Sequence, residues 1–448
     1  MIVFLWGGGS WISALASIFY EIWLKDIIIV DKYKSEITDI MTNKWIKTII
    51  WDWVYDYSEN DVIIYSDAVI NSKDFKKVKN NYKFSYFQFL WEISKRFKTI
   101  SIAWTHWKTS TTSMTLSCLK NFDKLWLWIV WWFVSDLDWK NYIINSKHKE
   151  DIKIIIEKIL NPKWKRPSEL FKKYYFVVEA DEFNKHFLLL DSDISIITKV
   201  DHDHKDIYPT KKEYLNAFNI FIDKTKKISL SLDPFSQKIE KVKLKKFNFN
   251  YIFWEHMQEN ASLVFEITKR ITNLNENNIK NCIENFKWVW RRQEYLWKLK
   301  NDLIVYTDYA HHFVEIEATY EAFKNKFWNK KIYVVFQPHQ LFRFIWYQEE
   351  FEKVLSKIDN LIIYNIYSIR EEKLLKKIRE NLWNKRTESI NTQYIIKTIW
   401  KNIAKKVWWT YIANFENLID FLKNKKWIAL IMSAWNLDYE MRNFINKN

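Results

Sequence analysis

The stretch KTISIAWTHWKTSTTSM, residues 98–114, decides the fold because it joins an apolar strand to a Ser/Thr-rich segment around Lys108. A strand, a turn and a Lys-Thr pair that opens a helix form the pattern of a loop that wraps phosphates. Such a loop needs glycine, because only a residue without Cβ lets the backbone approach phosphate closely. Trp104 and Trp107 stand where glycine is needed. Either this is no phosphate loop, or those two letters must be reinterpreted.

The composition of the chain favours reinterpretation. Its 448 residues include 27 Trp and only 3 Gly, which stand side by side at 7–9. Average usage of about 7% predicts roughly 31 glycines in a chain of this length, so the glycine deficit nearly equals the tryptophan count. We interpret most Trp letters as glycine codons read with the wrong table, since UGA encodes glycine in some bacterial lineages. The alternative is a chain that is truly rich in Trp.

Length and cysteine usage limit the class of protein. A chain of 448 residues predicts two to four domains with ample core. Cys118 and Cys282 belong to no CxxC motif, which suits a reducing cytosol and indicates no thiolate metal site. We recognise no signal peptide, and the most apolar stretch, 125–134, is too short to span a bilayer. We therefore expect a cytoplasmic protein without membrane insertion.

The formal net charge of +16 is compatible with binding to nucleic acid or anionic lipid. The Lys residues are spread along the chain among Asn and Ile, however, and form no basic block. This distribution favours a solvated basic surface, so we expect no nucleic-acid partner. If the Trp residues are real, the alternative is a basic, aromatic-rich nucleic-acid-binding protein whose indoles stack on bases.

Short β-branched runs alternate with helix-length segments along the chain. Examples are IVFL (2–5), KTISIA (98–103), YYFVVEA (174–180) and WIALIMSA (427–434). Apolar runs of four to eight residues separated by Lys/Glu-bearing stretches are typical of parallel α/β sheets. We therefore predict the α/β class.

A glycine-rich turn follows the first strand in LWGGGSWIS (5–13). With glycine at 6 and 11, backbone N–H groups at the start of the next helix can face a diphosphate. Asp31 closes the second strand, where a carboxylate can accept a hydrogen bond from a ribose or uridine hydroxyl. An ordinary βα turn would look the same, so this signal is weak alone.

Acidic residues and histidines follow two later strands. VVEADEFNKHFL (177–188) clusters Glu179, Asp181 and Glu182 where metal or base chemistry can occur, although such carboxylates are often only helix caps. TKVDHDHKDIY (198–208) holds two His and three Asp within six residues. That composition favours a hard-cation or proton-transfer site, with a solvated acidic turn as the alternative.

Arg and His mark three segments nearer the end of the chain. FKWVWRRQEYLW (286–297) pairs two Arg, which suit phosphate through bidentate bonds. TDYAHHFVEI (307–316) and VFQPHQLFRF (335–344) place His at the carboxyl ends of strands, where α/β proteins bind ligands. Surface Arg pairs and single loop His are common, so each motif is weak by itself.

Taken in order, these motifs closely resemble the Mur ligases of peptidoglycan synthesis, from Val3 to about Leu437. The phosphate loop is similar to the family's A-G-T-H-G-K-T-T-T, with Ser110 at a Thr position. EADE, DHDHKDIY, RR, DYAHH, FQPH and a terminal MSAWNL follow in the family's order. The Trp letters that fall on family glycines are those at 6, 11, 104, 107, 288, 290, 297 and 435. Composition alone could not have chosen these positions, so they support the glycine interpretation independently.

The resemblance implies a three-domain α/β architecture. We expect a Rossmann-like UDP-sugar-binding domain at 1–96, a central P-loop-type ATPase domain at 97–288 and a Rossmann-like C-terminal domain at 289–448, which takes the amino acid and closes. The implied reaction is ATP- and Mg²⁺-dependent ligation of L-alanine to the carboxylate of UDP-N-acetylmuramate through an acyl phosphate, by a monomer or weak dimer. One alternative is the related ligase that joins a whole peptide to the same UDP-sugar in wall recycling. Another is a defective ligase, if Trp104 and Trp107 are real and fill the phosphate pocket.

The resemblance also implies roles for individual residues. The expected ATP-binding residues are Trp104, Thr105, His106, Trp107, Lys108, Thr109, Ser110, His256, Asn260 and Arg291. Those expected to bind the UDP-sugar are Gly8, Gly9, Ser10, Trp11, Asp31 and His202. The catalytic set is Lys108, Glu179, His204, Asp308 and His311, the magnesium ligands are Thr109, Glu179 and His204, and the substrate contacts are His312, His339 and Arg343. The chain departs from the family pattern at Met257, Phe313 and Gln340, which replace Asn, Pro and Arg.

Overall fold

Three β-sheets, built mainly from parallel strands joined by helices, form the framework of the chain. The predicted α/β class is therefore confirmed. The computed structural model describes residues 1–50, 58–70, 72, 75–76, 78, 82–103, 108–120, 122, 125–134, 140–161, 172, 174–205, 207–252, 257–287, 289–299, 301–339, 347–365, 410–434 and 436–447.

The first sheet has five parallel strands in the order β3-β2-β1-β4-β5. Its strands are β1 Ile2–Leu5, β2 Ile27–Asp31, β3 Lys47–Ile50, β4 Val62–Tyr65 and β5 Lys83–Ser85. The helices beside them are α1 Ser10–Glu21, α2 Glu36–Asn43 and α3 Tyr86–Ser94. The strand order reverses at β1, as in a Rossmann half, so ligands are expected at the carboxyl end of β1.

The second sheet has seven strands in the order β12-β11-β10-β6-β9-β7-β8. They are β6 Lys98–Ala103, β7 Leu125–Val134, β8 Lys140–Ile144, β9 Tyr175–Ala180, β10 Ile194–Ile197, β11 Ile228–Ser231 and β12 Ile239–Lys241. The helices are α4 Lys108–Leu119, α5 Lys149–Leu160, α6 Lys211–Lys224, α7 Met257–Ile271 and α8 Glu276–Glu284. Only the β7–β8 pair is antiparallel among these described strands. Strand β6 is buried almost throughout, as expected for a central strand of a parallel sheet covered on both faces.

The third sheet has six strands in the order β13-β14-β18-β15-β16-β17, and its only antiparallel pair within the described chain is β13–β14. The strands are β13 Glu294–Lys298, β14 Leu303–Asp308, β15 Ile332–Gln337, β16 Leu361–Tyr364, β17 Thr410–Ile412 and β18 Trp427–Ser433. The helices are α9 Phe313–Lys326, α10 Gln348–Leu355, α11 Phe415–Lys423 and α12 Asn436–Lys447.

The chain divides into two compact units. The first contains the first two sheets and extends to Trp290, and the second contains the third sheet and begins at Arg291. Each unit has its own buried apolar core: Phe4, Phe19 and Phe176 belong to that of the first. The domain bounds expected at 96/97 and 288/289 stay a prediction. No helix in the described part of the chain is long and apolar enough to cross a membrane.

Two helices end in a hydrogen-bonding pattern that favours glycine, and both have Trp at that position. After α1, the Leu24 N–H donates to Phe19 O at 2.9 Å and the Trp23 N–H to Tyr20 O at 3.1 Å. This is the pair of bonds of a Schellman motif, in which the residue after the cap adopts a left-handed backbone and is usually glycine. Trp23 adopts that backbone, with φ 64°.

The same motif closes α2. The Ile46 N–H donates to Met41 O at 3.1 Å, the Trp45 N–H donates to Thr42 O at 2.9 Å, and φ of Trp45 is 63°. The Trp45 side chain is 86% exposed, so packing of the indole does not offset the energetic cost of the left-handed backbone. Positions 23 and 45 lie in none of the family motifs, so they support the glycine interpretation on separate grounds.

Trp recurs at other backbone positions that suit glycine. Ten described non-glycine residues have positive φ and four of them are Trp, the other two being Trp6 and Trp427. Trp297 lies at a register shift between β13 and β14, a place where glycine is common. Of the family-glycine positions, 104, 107, 288 and 435 lie outside the described residues.

Candidate functional site

Three neighbouring strands of the second sheet end at the same edge. Ala103, at the end of β6, pairs with Ala180 of β9 and with Ile197 of β10. The segments that follow these strands therefore meet, as the carboxyl ends of parallel strands do in α/β ligand sites. They carry Lys108, the EADE carboxylates and the two histidines of DHDH.

Lys108 opens α4 and is buried between two carboxylates. Its Nζ forms an ion pair with Glu182, and Asp181 Oδ1 lies 3.7 Å from the same nitrogen. Burial lowers the pKa of Lys108, but the charges of Glu182 and Asp181 outweigh burial and hold the pKa above its usual value. Lys108 is therefore a fixed positive charge at the first turn of a helix, where phosphate groups are also favoured.

A hydroxyl and a carboxylate lie side by side next to Lys108. Thr109 Oγ1 donates a hydrogen bond to Glu179 Oε2 at 3.1 Å, and both side chains are buried. Among the residues that the structure describes, no group of three or more His, Cys, Asp or Glu side chains is arranged to hold a metal ion. Two oxygen donors nevertheless fit Mg²⁺, which commonly takes one or two protein oxygens and completes its shell with water and substrate phosphate.

The two histidines of DHDH have different surroundings. His204 Nε2 lies 3.5 Å from Glu182 Oε1 and 3.7 Å from Asp203 Oδ2, so His204 joins the Lys108–Glu182 pair. His202 Nε2 lies 2.7 Å from the carbonyl oxygen of Tyr208, a contact within its own loop. The structure thus brings His204 to the predicted cluster, while the UDP-sugar contact of His202 stays a prediction.

His186 and Asp67 join this cluster, and sequence reasoning missed both. His186 Nε2 lies 2.7 Å from Asp67 Oδ2, its Nδ1 lies 3.8 Å from Asp181 Oδ2, and its ring stacks on Phe87 with centroids 3.7 Å apart. Burial lowers the pKa of His186, but the neighbouring carboxylates of Asp181 and Asp67 outweigh burial and raise it. Asp67 follows β4 of the first sheet and His186 follows β9 of the second, so the contact links the two sheets. His186 belongs to the stretch 177–188, in which only the three carboxylates were predicted to act, and no motif marks Asp67.

Asp31 holds the glycine-rich turn after β1. Its Oδ2 accepts the Gly8 N–H at 2.8 Å and its Oδ1 accepts the Tyr33 N–H at 3.0 Å. A Cβ at Gly8 would stand 2.6 Å from Asp31 Oδ2, which explains the glycine there. Burial raises the pKa of Asp31 despite these two bonds. The structure therefore shows Asp31 positioning the turn, and its contact with a ribose or uridine hydroxyl stays a prediction.

The start of α1 contacts the second sheet. Gly9 is the N-cap of α1, and Ser10 O accepts a hydrogen bond from Asn141 Nδ2 of β8 at 2.8 Å. Trp11 packs edge-on against Tyr86, with ring centroids 5.1 Å apart. The predicted UDP-sugar residues 8–11 and 31 therefore lie together.

Arg291 and Asp308 belong to a buried polar network in the second unit. Arg291 Nε lies 3.1 Å from Asp438 Oδ2, and its Nη2 donates to Ser433 O at 2.8 Å. Asp308 accepts backbone N–H bonds from Gln293 and Ala310. Burial, opposed by the charge of Arg292, raises the pKa of Asp308 to about 6. Arg291 is thus engaged inside the fold, and its contact with ATP stays a prediction.

The predicted histidines of the second unit are partly brought together. The rings of His311 and His339 lie 5.7 Å apart, and His311 Nδ1 lies 3.4 Å from Glu315 Oε2. His312 is buried against Phe313, with ring centroids 4.1 Å apart. Its contact with substrate stays a prediction.

Two predicted ATP-binding residues are buried in helices of the first unit. Ser110 lies in the first turn of α4, and Asn260 lies in α7, where its Nδ2 contacts Met257 Sδ at 3.4 Å. The predicted site residues that lie outside the described residues are Trp104, Thr105, His106, Trp107, His256 and Arg343.

Comparison with known proteins identifies ligases of similar sequence. No family model matches the chain. The UDP-N-acetylmuramate–L-alanine ligase of Christiangramia forsetii is 28% identical over 414 residues, covering 82% of this chain and 84% of that protein. The ligase of the same name from Lactobacillus acidophilus is 29% identical over 301 residues, covering 59% of this chain, and the chain spans 63% of the length of that relative.

A solved structure shares the whole fold. The crystal structure of UDP-N-acetylmuramate–alanine ligase from Thermotoga maritima superposes with a TM-score of 0.71, covering 100% of this chain and 98% of the other, at 16% sequence identity. At that identity the likeness concerns the fold, and it supports the three-part α/β architecture.

Proposed function

The chain belongs to the Mur ligase family, and from this premise we propose that it is an ATP-dependent ligase forming a C–N bond in peptidoglycan precursor synthesis. Its substrates are UDP-N-acetylmuramate and L-alanine, the compounds named for its relatives. The observation that carries the proposal is Lys108, a buried cation at the start of α4 with Glu182 and Asp181 around it.

The chemistry of the reaction explains why a buried cation is needed. A carboxylate is a poor electrophile, so the γ-phosphoryl group of ATP is transferred to a carboxylate oxygen of the UDP-sugar and ADP leaves. The amine of L-alanine then attacks the acyl carbon, loses a proton and expels inorganic phosphate. Lys108 stabilises the negative charge on the transferring phosphoryl group, and in a buried site that stabilisation is large.

Thr109 and Glu179 supply the oxygens that would hold Mg²⁺. When bound, the ion neutralises charge on the phosphates of ATP. His204 reaches Glu182 and therefore belongs to the same cluster, and its role as a third magnesium ligand stays a prediction. The roles of Asp308 and His311 in the second unit are proposed on the resemblance, with the buried, partly protonated Asp308 as a proton carrier.

The test is ADP release from the glycine-restored protein with UDP-N-acetylmuramate and L-alanine. Lys108→Ala should abolish L-alanine-dependent turnover, while Lys212→Ala, an exposed Lys at the start of α6, should retain it. Retained turnover in Lys108→Ala would refute the role of Lys108.

The same assay with a second substrate distinguishes between the two kinds of ligase that share these motifs. A tripeptide replaces L-alanine in the same assay. Faster ADP release with the tripeptide would assign the chain to peptide recycling, and no release with either substrate would overturn the proposal. The protein with all Trp retained should release no ADP if indoles fill the phosphate loop.

A further inference from the structure

Cys118 and Cys282 are neighbours in the fold although they stand far apart in the sequence. Cys118 lies in the last turn of α4, Cys282 lies in α8, and the two helices pack against each other. The two side chains are hydrogen-bonded to one another, and both are free thiols. The sequence, with no CxxC motif, gave no sign of this pairing.

The surroundings of the pair favour reaction at Cys282. The hydrogen bond from Cys118 and the charge of Lys120 lower the pKa of Cys282 to about 6, against burial, which raises it. A lowered pKa raises the thiolate fraction of Cys282 near neutral pH, and the thiolate is the reactive form of cysteine. Cys282 is half-buried and Cys118 is 5% exposed, so an oxidant in solution meets Cys282 first.

We propose that Cys118 and Cys282 form a redox site that closes to an intramolecular disulfide on exposure to a peroxide. The Cys282 thiolate attacks one peroxide oxygen, the O–O bond breaks, and a sulfenic acid and water form once a proton is taken up. The Cys118 thiol then attacks the sulfenic sulfur and releases a second water. Two electrons pass from the two thiols to one molecule of hydrogen peroxide.

The disulfide would join the phosphate-loop helix to α8. Helix α4 begins at Lys108 and ends at Leu119, so the bond would anchor its carboxyl end. Cys282 lies between Ile279 and Ile283, which are both fully buried, so α8 is already held in place on that side. Closure of the pair therefore links two packed helices, and it is independent of the proposed ligase activity.

The experiment uses the full-length reduced chain and one equivalent of hydrogen peroxide. We expect both thiols to disappear together, a peptide containing 118 to be linked to one containing 282 in mass spectra, and dithiothreitol to restore both. Loss of a single thiol, or disulfide-linked dimers in place of the internal bond, would overturn the proposal.

Two serine variants separate the steps. Cys118→Ser should stop at a sulfenic acid on Cys282 that dimedone traps, whereas Cys282→Ser should leave Cys118 reduced over the same time. Alkylation of Cys282 by iodoacetamide in the wild-type chain should have a pH midpoint near 6, rising in Cys118→Ala, which removes the hydrogen-bond donor. If Cys282 reacts no faster in the folded wild-type chain than in urea, the pair is a packing contact only and the proposal fails.

Discussion

Thr109 Oγ1 and Glu179 Oε2 lie 3.1 Å apart, although the two residues are distant in sequence and belong to a helix and a strand respectively. Thr109 follows the phosphate loop on α4, and Glu179 lies in β9 beside the strand that leads into the loop. The register of β6 and β9 therefore sets the distance between the two oxygens. Lys108 is adjacent to Thr109 in the sequence. The pairing of β6 with β9 therefore positions the Lys108 ammonium group as well as the two oxygens.

Thr109→Val should weaken magnesium-dependent turnover, because valine keeps the shape of threonine but removes the hydroxyl donor. We expect at least a tenfold fall in ADP release at low Mg²⁺, about 1.4 kcal/mol of lost stabilisation. Thr109→Ser keeps the hydroxyl and should retain most of the activity. The measurement is a Mg²⁺ titration of ADP release, and equal Mg²⁺ dependence in the two variants would contradict the role of the hydroxyl.

Glu182→Ala should destabilise the first unit, because it removes the carboxylate that forms the ion pair with the buried Lys108 and leaves the more distant Asp181. Breaking a buried ion pair from one side costs about 3 kcal/mol. The double variant Lys108→Met, Glu182→Leu removes both charges and should recover much of that loss. Urea unfolding of both variants checks this, and a single variant as stable as wild type would disprove it.

Trp45→Gly should stabilise the chain in which the other Trp residues are retained. The left-handed backbone at Trp45 costs a bulky residue about 1 kcal/mol, which glycine avoids. Trp328, equally exposed but without a positive φ, is the matched control, and Trp328→Gly should give no gain. The midpoint of urea unfolding distinguishes the two, and equal effects would show that exposure of the indole, not its backbone, matters.

The identity of the residues themselves can be read directly from the native protein. Peptide mass spectrometry should find glycine at positions 23, 45, 104 and 107. Tryptophan at 104 and 107 would refute the glycine interpretation of the phosphate loop.

Asp308→Asn should flatten the pH dependence of stability in the second unit. Burial raises the pKa of Asp308 to about 6, above the value of about 3.9 for an unfolded Asp. The folded state therefore binds this proton more tightly, so stability from Asp308 is full below about pH 4 and is lost as the pH rises through about 6. Each unit of pKa difference between the folded and unfolded states corresponds to about 1.4 kcal/mol of stability.

The readout is the difference in unfolding free energy between wild type and variant, measured from about pH 4 to pH 7. The amide loses one of the two backbone bonds that Asp308 accepts, a cost that does not vary with pH. The unfolding free energy of the wild type should therefore fall relative to that of the variant as the pH rises. Asp420→Asn, on the exposed face of α11, should keep the wild-type slope. A constant difference across this range would contradict the raised pKa.

Local patterns in the sequence predicted the α/β class and the main members of the candidate site. Strand and helix periods are local properties, so β6 and the start of α4 could be read from residues 98–114. Lys108, Thr109 and Glu179 were identified by residue type next to a strand end. Composition and motif position also marked the Trp letters, and the left-handed backbones at Trp23 and Trp45 agree with that interpretation.

Tertiary structure alone decided which side chains meet. Glu182 pairs with Lys108, His186 with Asp67, and Cys118 with Cys282, across separations that no local motif spans. These contacts depend on strand order and register, which bring distant segments to one edge of a sheet. Residue type and spacing thus determined which chemical groups this chain has available. The packing of strands and helices determined which of these groups contact each other. That packing matters because a buried charge or thiol depends strongly on the groups placed beside it.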